Sequence, residues 1–128
     1  MNVVDSSAWI EYFTEGPNAG FFAGPIERVG ELIVPSLCIF EVFKWTLRER
    51  DESQALKAAA QMQLGRIVDL DSKIAVLAAR LGLQFKLPMA DSIVFATASA
   101  SVSTLWTQDT DFENLQGVRF KAKLKKET

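Results

Sequence analysis

Residues 1–6 read Met1-Asn2-Val3-Val4-Asp5-Ser6, an apolar run that ends at an acid and a hydroxyl residue. This pattern predicts a buried strand over residues 1–5, and Ser6 is a suitable N-cap for a helix that continues to about Phe13. Strand and helix signals go on alternating along the chain. Further strands are predicted at 32–34, 66–70, 104–107 and 118–120, and further helices at about 18–28, 36–50, 52–64, 72–83 and 88–100.

Strands that alternate with helices indicate an α/β fold, here a three-layer α/β/α sandwich around a mostly parallel central sheet. The chain has 128 residues, of which 48% are hydrophobic, and this is enough for one ordinary core. We therefore expect a single domain over residues 1–128, with a core over about 1–120 and a basic C-terminal tail over 121–128.

The composition limits where the protein works. No apolar run approaches the length of a membrane span, and no secretion signal opens the chain, so we expect no membrane partner. The one cysteine, Cys38, excludes an internal disulfide, fits a cytoplasmic location and is expected to be an inert core thiol. The net charge of −2 provides no overall positive field for nucleic acid.

Four acids stand where burial or a strand end is expected. Asp5 and Asp109 each follow a predicted strand, whereas Glu41 and Asp91 share helix faces with apolar residues. In a parallel sheet, ligands bind beyond the carboxyl ends of the strands, where Asp5 and Asp109 would meet if their strands are neighbours. Each acid also has a local explanation, as a helix cap, a helix N-terminal charge or a turn residue. Glu41 fits these local explanations least.

A shared acidic pocket would need a cation. Two carboxylates about 4 Å apart repel by about 4 kcal/mol at an effective dielectric constant of 20. Four of them would offset a large part of a domain's stability of ~5–15 kcal/mol unless some are protonated or a metal neutralises them. Because the chain has no histidine, the ligands would be oxygens, which favour Mg²⁺ or Mn²⁺. Such a site suits metal-assisted hydrolysis of phosphodiesters.

Four motifs in order carry a resemblance to a known family. They are Val4–Ile10, Leu32–Pro35 followed by Glu41, Leu87–Ile93, and Leu105–Phe112. With these motifs the chain resembles the PIN-domain ribonucleases, and within them the VapC-type toxins of type II toxin–antitoxin pairs. The resemblance implies a compact α/β/α domain whose acidic, Mg²⁺-dependent site cleaves RNA.

Carried over by position, the resemblance assigns roles to single residues. Asp5 and Asp91 look like the principal metal-binding acids, and Glu41 looks like the third. Asp109 matches the fourth position, with Asp111 as the alternate because the family often has its acid there. Supporting hydroxyls would be Ser6 and Thr107, which could equally be an N-cap and a strand end. Gln108 replaces a residue that is often basic in the family, and Phe112 is expected in the core.

The resemblance also implies partners, namely an RNA substrate, a small cognate antitoxin and a second copy of the chain in a homodimer. Lys44 and Arg48 lie one helical turn apart on the helix of Glu41 and could contact RNA phosphate, or could simply be solvated. Hydrophobic residues of the second to fourth helices could receive the antitoxin, although core packing is the alternative for most of them. These candidates are Phe21, Phe22, Phe43, Trp45 and Leu47.

Four other functions compete with a toxin. An aspartyl-phosphate phosphotransferase of the haloacid-dehalogenase kind needs an aspartate two residues after Asp5, where Ser7 stands. No Gly-rich phosphate loop for an NTPase occurs. A non-catalytic PIN domain would be expected to lose acids, whereas this chain keeps them. A stand-alone PIN nuclease in RNA processing would have the same site as a toxin.

Overall fold

The computed structural model describes residues 1–124, and the last four residues of the predicted basic tail, 125–128, lie outside the described residues. Within residues 1–124, eleven helices and strands follow one another, together with short 3₁₀ turns at Val29–Glu31 and Thr110–Phe112. They are β1 (Asn2–Val4), α1 (Ser6–Phe13), α2 (Ala19–Glu27), β2 (Leu32–Pro35), α3 (Ser36–Glu49), α4 (Glu52–Met62), β3 (Arg66–Val68), α5 (Ser72–Phe85), α6 (Met89–Ala100), β4 (Thr104–Thr107) and β5 (Val118–Phe120).

The five strands form one sheet in the order β3-β2-β1-β4-β5, and every neighbouring pair is parallel. The predicted α/β/α sandwich is therefore confirmed, with a sheet that is parallel throughout. The connections β1–β2 and β2–β3 step in one direction and β3–β4 steps back. Because such crossovers are right-handed, α1–α4 cover one face of the sheet and α5 and α6 cover the other.

Apolar side chains from both layers pack against the sheet. Val3 and Val4 are fully buried in β1, as are Trp9 of α1, Phe22 of α2 and Phe112 beyond β4. Burial of a large side chain of this kind stabilises the fold by ~1.5–3 kcal/mol. Phe112 is thus a core residue, as the sequence indicated.

Close packing of α5 on α6 fixes the start of α6. A Cβ atom on Gly82 would lie 2.5 Å from the Ser92 hydroxyl oxygen, so a larger residue there would force the Ser92 side chain or the two helices to shift. Ser92 also donates a hydrogen bond of 2.8 Å to the carbonyl of Pro88, which stands just before α6. These contacts hold the first turn of α6, and with it Asp91.

Candidate metal centre

The strand register brings two predicted site residues together at the carboxyl edge of the sheet. Val4 pairs with Trp106, and the Asp5 backbone N–H donates to the Trp106 carbonyl at 3.0 Å. Asp5 therefore lies beside Thr107, whose Oγ1 donates to Asp5 Oδ2 at 3.0 Å. Thr107 Oγ1 also accepts the backbone N–H of Asp109 at 2.9 Å, so one hydroxyl joins the ends of β1 and β4.

Asp5 caps helix α1. Its Oδ1 accepts the Ser6 backbone N–H at 2.8 Å, and its Oδ2 accepts the Ser7 hydroxyl at 3.0 Å. The prediction that Ser6 is the N-cap was wrong: Ser6 is the first helical residue, because the Asp5 carboxylate satisfies the exposed donor at the helix start. Ser7 is a site residue that the sequence reasoning missed. Its position two residues after a capping acid was the available signal.

Burial keeps Asp5 from ionising easily. The side chain is only 4% exposed, and desolvation raises its pKa from 3.8 to about 6. The hydrogen bonds from Thr107, Ser7 and Ser6 act in the opposite direction, and the nearby charge of Asp109 adds to the increase. A buried carboxylate with three donors but no cationic partner among its hydrogen bonds is suited to a cation.

Asp91 is the second strongly perturbed acid. It lies in the first turn of α6 and is half-buried. Burial raises its pKa from 3.8 to about 8, with further increases from a hydrogen bond to Asp111 and from the charges of Asp109, Asp5 and Asp111. Asp91 therefore interacts electrostatically with three other acids.

Three carboxylates converge closely. One oxygen each of Asp91, Asp109 and Asp111 lies within 4.8 Å of the other two. The 3₁₀ turn after β4 produces this arrangement, because Asp109 caps it by accepting the Asp111 N–H at 2.9 Å. Both candidates for the fourth acid, Asp109 and Asp111, thus lie next to Asp91. Asp5 is outside this group of three, but close enough for its charge to raise the pKa of Asp91.

Glu41 joins the acids through a hydroxyl. It is half-buried on α3, and its Oε1 accepts the Ser6 Oγ–H at 2.8 Å. Ser6 therefore contacts Glu41 by its side chain and Asp5 by its backbone. Cys38, one turn earlier on α3, is buried with its Sγ 3.9 Å from the Val4 carbonyl, and burial raises its thiol pKa. The prediction of an unreactive core thiol agrees with this environment.

A buried amide network supports the same edge of the sheet, and no local pattern in the sequence predicts it. Gln108 Nε2 donates to the Ser7 carbonyl at 3.3 Å, and its Oε1 accepts Asn18 Nδ2 at 3.2 Å. The backbone N–H of Asn18 donates to the Glu11 carboxylate at 2.8 Å. Gln108 and Asn18 are therefore structural groups that hold the start of α1 against the end of β4.

The two basic residues predicted to contact RNA lie on the surface of α3. Arg48 forms an exposed ion pair with its neighbour Glu49 at 2.9 Å, and such pairs contribute little to stability. Lys44 Nζ lies 5.7 Å from the ring centre of Phe40, which is 60% exposed. Neither contacts the acids directly.

The hydrophobic residues predicted as partner contacts divide into three groups. Phe22 is fully buried in the core, so a partner cannot contact it. Phe21, Phe43 and Trp45 are half-buried, and Leu47 is 48% exposed.

None of the helices in the described part of the chain is long and apolar enough to cross a membrane.

The donor set fits a hard divalent cation. All the converging groups are carboxylates or hydroxyls, and Mg²⁺ and Mn²⁺ favour oxygen ligands. Burial, together with the charges of neighbouring acids, raises the pKa values of Asp5 and Asp91, and a bound cation would offset both effects. Asp91, Asp109 and Asp111 could hold the ion, with Asp5 beside them.

Several solved structures have a similar fold. The fold is similar to that of a chain in a toxin–antitoxin complex from Klebsiella pneumoniae, with a TM-score of 0.81 at 20% identity over 97% of this chain and 100% of that one. It is also similar to VapC20 of Mycobacterium tuberculosis, described as a sarcin–ricin loop cleaving toxin, with a TM-score of 0.76 at 14% identity over 91% and 95% of the two chains. A third similar structure is VapBC2 from Rickettsia felis, bound to promoter DNA, with a TM-score of 0.72 at 12% identity over 94% and 97%.

No curated protein sequence matches the chain significantly. At such low identities, the solved structures establish likeness of fold alone. The family model of the PIN domain, however, matches residues 3–118, which is most of the chain. The protein therefore belongs to the PIN domain family.

Proposed function

We propose that this protein is a Mg²⁺- or Mn²⁺-dependent endoribonuclease, and that it is the toxin of a VapBC-type toxin–antitoxin pair. The observation that carries the proposal is the convergence of Asp91, Asp109 and Asp111 within 4.8 Å, next to the buried Asp5. Membership of the PIN family supports nuclease activity, and the toxins among the similar structures support the narrower assignment.

In this mechanism the acids bind the cation and the hydroxyls orient the acids. Asp5, Asp91 and Asp109 would be ligands, with Asp111 as the alternate for Asp109 and Glu41 as the further acid of the site. When bound, the divalent cation would stabilise negative charge on the phosphate and lower the pKa of water. Thr107 holds Asp5 Oδ2 in place through its hydroxyl. Ser6 does the same for Glu41 Oε1.

Proton release is part of metal binding at this site. Burial and the hydrogen bond to Asp111 raise the pKa of Asp91 to about 8, so this group of acids shares a proton at neutral pH in the metal-free protein. The group must release this proton before all its oxygens can act as ligands, so metal affinity should increase as the pH rises towards 8.

Two alternatives are less well supported. The chain lacks the second aspartate of an aspartyl-phosphate enzyme, because Ser7 stands two residues after Asp5 and its hydroxyl donates to the Asp5 carboxylate. A stand-alone RNA-processing nuclease would use the same acids and remains the second candidate. A small open reading frame immediately upstream, whose product co-purifies with this protein, would favour the toxin.

An antitoxin could bind on the helical layer of α1–α4. A cavity of about 330 Å³ opens between α1, α3 and α4. Phe13 and Trp45 supply apolar walls, and Arg50 and Lys57 supply positive charge. An antitoxin helix that inserts an apolar side chain and places acids at the rim would fit this cavity. Lys44 and Arg48 are kept as candidate contacts to RNA phosphate.

A homodimer could form through the other layer. Leu83 and Met89 are 86% and 80% exposed beside an apolar cavity of about 430 Å³ between α5 and α6. Large apolar side chains exposed beside an apolar cavity are a common feature of interaction sites. We therefore propose the α5–α6 surface as the dimer interface.

An RNA cleavage assay tests the proposed activity. The wild type should cleave RNA with Mg²⁺ or Mn²⁺ and not with EDTA, while Asp91→Asn and Asp5→Asn should abolish cleavage. Asp51→Asn is the matched control, because Asp51 is also a helix cap but is exposed and remote from the acids. Cleavage that persists in Asp91→Asn, or in EDTA, would refute the proposal.

A further inference from the structure

Two cations lie over aromatic rings at the edge of the sheet. Arg119 Cζ of β5 is 4.9 Å from the ring centre of Trp106, and Lys121 Nζ is 5.4 Å from that of Phe21. The two rings contact each other at 5.1 Å. Arg119 and Lys121 are two residues apart on extended chain, so they project to the same side of the sheet. We call them the Arg119–Lys121 ridge.

The ridge carries two cationic groups in fixed positions. Within residues 1–124, the only ion pair is that of Arg48 with Glu49, so no carboxylate of these residues contacts either ridge residue. Both residues are exposed. The aromatic rings position the cationic groups without removing their charge. Trp106 is itself held by the hydrogen bond from its indole N–H to Asn2 Oδ1 at 2.8 Å.

The backbone that carries the ridge is bonded to the strand that ends at the acids. Phe120 is paired with Thr107, and the backbone N–H of Lys121 donates to the Thr107 carbonyl at 3.0 Å. Thr107 is the residue whose hydroxyl contacts Asp5. The segment after β5 is also attached to the buried network, because Asn18 Nδ2 donates to the Ala122 carbonyl at 2.9 Å. Lys121 is therefore held at the same sheet edge as the candidate metal centre.

We propose that the Arg119–Lys121 ridge binds backbone phosphates of the RNA strand that flanks the cleavage position. The inference rests on the proposed function and extends it. A polynucleotide carries a charge on every nucleotide, and a protein of net charge −2 with a cluster of acids repels it. Two cations on the strand that ends at this edge of the sheet offset part of that repulsion. Their spacing of roughly 6.6 Å along the strand suits neighbouring phosphates of an extended single strand.

The experiment measures RNA affinity against salt. In an Asp91→Asn background, which prevents cleavage, binding of a labelled single-stranded oligoribonucleotide of mixed sequence is followed by fluorescence anisotropy. Arg119→Gln/Lys121→Gln removes the two charges and keeps much of each side-chain stem. The matched control is Lys73→Gln/Arg80→Gln, which removes two exposed charges from α5 on the opposite face of the sheet.

Two lost phosphate contacts should reduce the slope of log K against log salt by about 1.4, since each contact to a single strand contributes about 0.7. Between about 50 and 200 mM salt, the RNA affinity of the protein with the intact ridge should therefore fall about sevenfold more than that of the ridge variant. The control variant should keep the original slope. Arg119→Lys/Lys121→Arg should restore it, and a melting curve like that of the parent confirms that the variants fold.

The outcomes separate the two proposals. If the wild type cleaves RNA but the ridge variant keeps both the affinity and the salt slope of its parent, the ridge proposal alone fails. A ridge variant that keeps its RNA affinity but no longer binds a polyglutamate peptide would assign the ridge to an acidic protein partner, and this result would also overturn the ridge proposal. If the wild type neither binds nor cleaves RNA with either metal, the proposed function fails, and the ridge proposal fails with it.

Discussion

Asp5→Asn should make the stability of the metal-free protein less dependent on pH. The folded-state pKa of Asp5, about 6, lies above the value of 3.8 for an exposed aspartate, so the fold favours the neutral carboxyl. The contribution of the neutral Asp5 carboxyl to the free energy of unfolding is complete below pH ~4 and is lost as the pH rises through 6. The difference of about two pKa units corresponds to about 3 kcal/mol in the free energy of unfolding. Asparagine cannot ionise, so this part of the pH dependence should disappear.

Urea denaturation in EDTA at several values between pH 4 and 8 measures the effect. The wild type should lose about 3 kcal/mol more than Asp5→Asn over this range. Asp91 acts in the same direction up to about pH 8, and its contribution should be smaller in Asp5→Asn because the charge of Asp5 no longer raises its pKa, which adds to the difference. Asp51→Asn, an exposed helix cap, should behave like the wild type. Equal pH dependence in the wild type and Asp5→Asn would refute the claim that Asp5 is a desolvated acid.

Three further predictions concern the supporting structure. Thr107→Val removes the hydroxyl between Asp5 and Asp109 and should lower the Mn²⁺ affinity measured by calorimetry ~10–100-fold, whereas Thr107→Ser should keep the wild-type affinity. An unchanged Mn²⁺ affinity in Thr107→Val would contradict the positioning role of this hydroxyl. Gly82→Ala should lower the free energy of unfolding by ~1–3 kcal/mol in urea titrations, because its Cβ meets Ser92, while Gly20→Ala, which has open space around it, should leave the free energy unchanged. A neutral Gly82→Ala would mean that α5 and α6 adjust to the added methyl group without cost. Leu83→Glu should give a monomer in light scattering, whereas Val102→Glu should leave the dimer intact, because Val102 is 90% exposed but lies outside α5 and α6. An unchanged molecular mass for Leu83→Glu would exclude the α5–α6 interface.

The fold was predictable because its signals are local. Buried strands such as Val3-Val4 lie between helices with recognisable starts, and that alternation restricts the topology to a parallel sheet. The first helix was placed correctly although its cap was assigned to Ser6 instead of Asp5. Both residues are good caps, and only the burial of the Asp5 carboxylate at the strand end distinguishes them.

The candidate site was predictable only in part, because its finer contacts join residues far apart in the chain. The acids were identified since carboxylates among apolar residues are unusual. The contact between Asn18 and Gln108, by contrast, spans 90 positions, and no local pattern encodes it. The choice between Asp109 and Asp111 depended on a 3₁₀ turn that brings both towards Asp91, and their spacing alone did not predict that turn.

The cation positions in a crystal grown with Mn²⁺ test the central claim most directly, because anomalous scattering locates the metal without reference to activity. We predict a peak within ligand distance of the Asp91 carboxylate and of Asp109 or Asp111, with Asp5 next to it. The peak should be absent from crystals of Asp91→Asn grown in the same way. A Mn²⁺ ion bound elsewhere, or a peak that is unchanged in Asp91→Asn, would contradict a metal centre built from these acids.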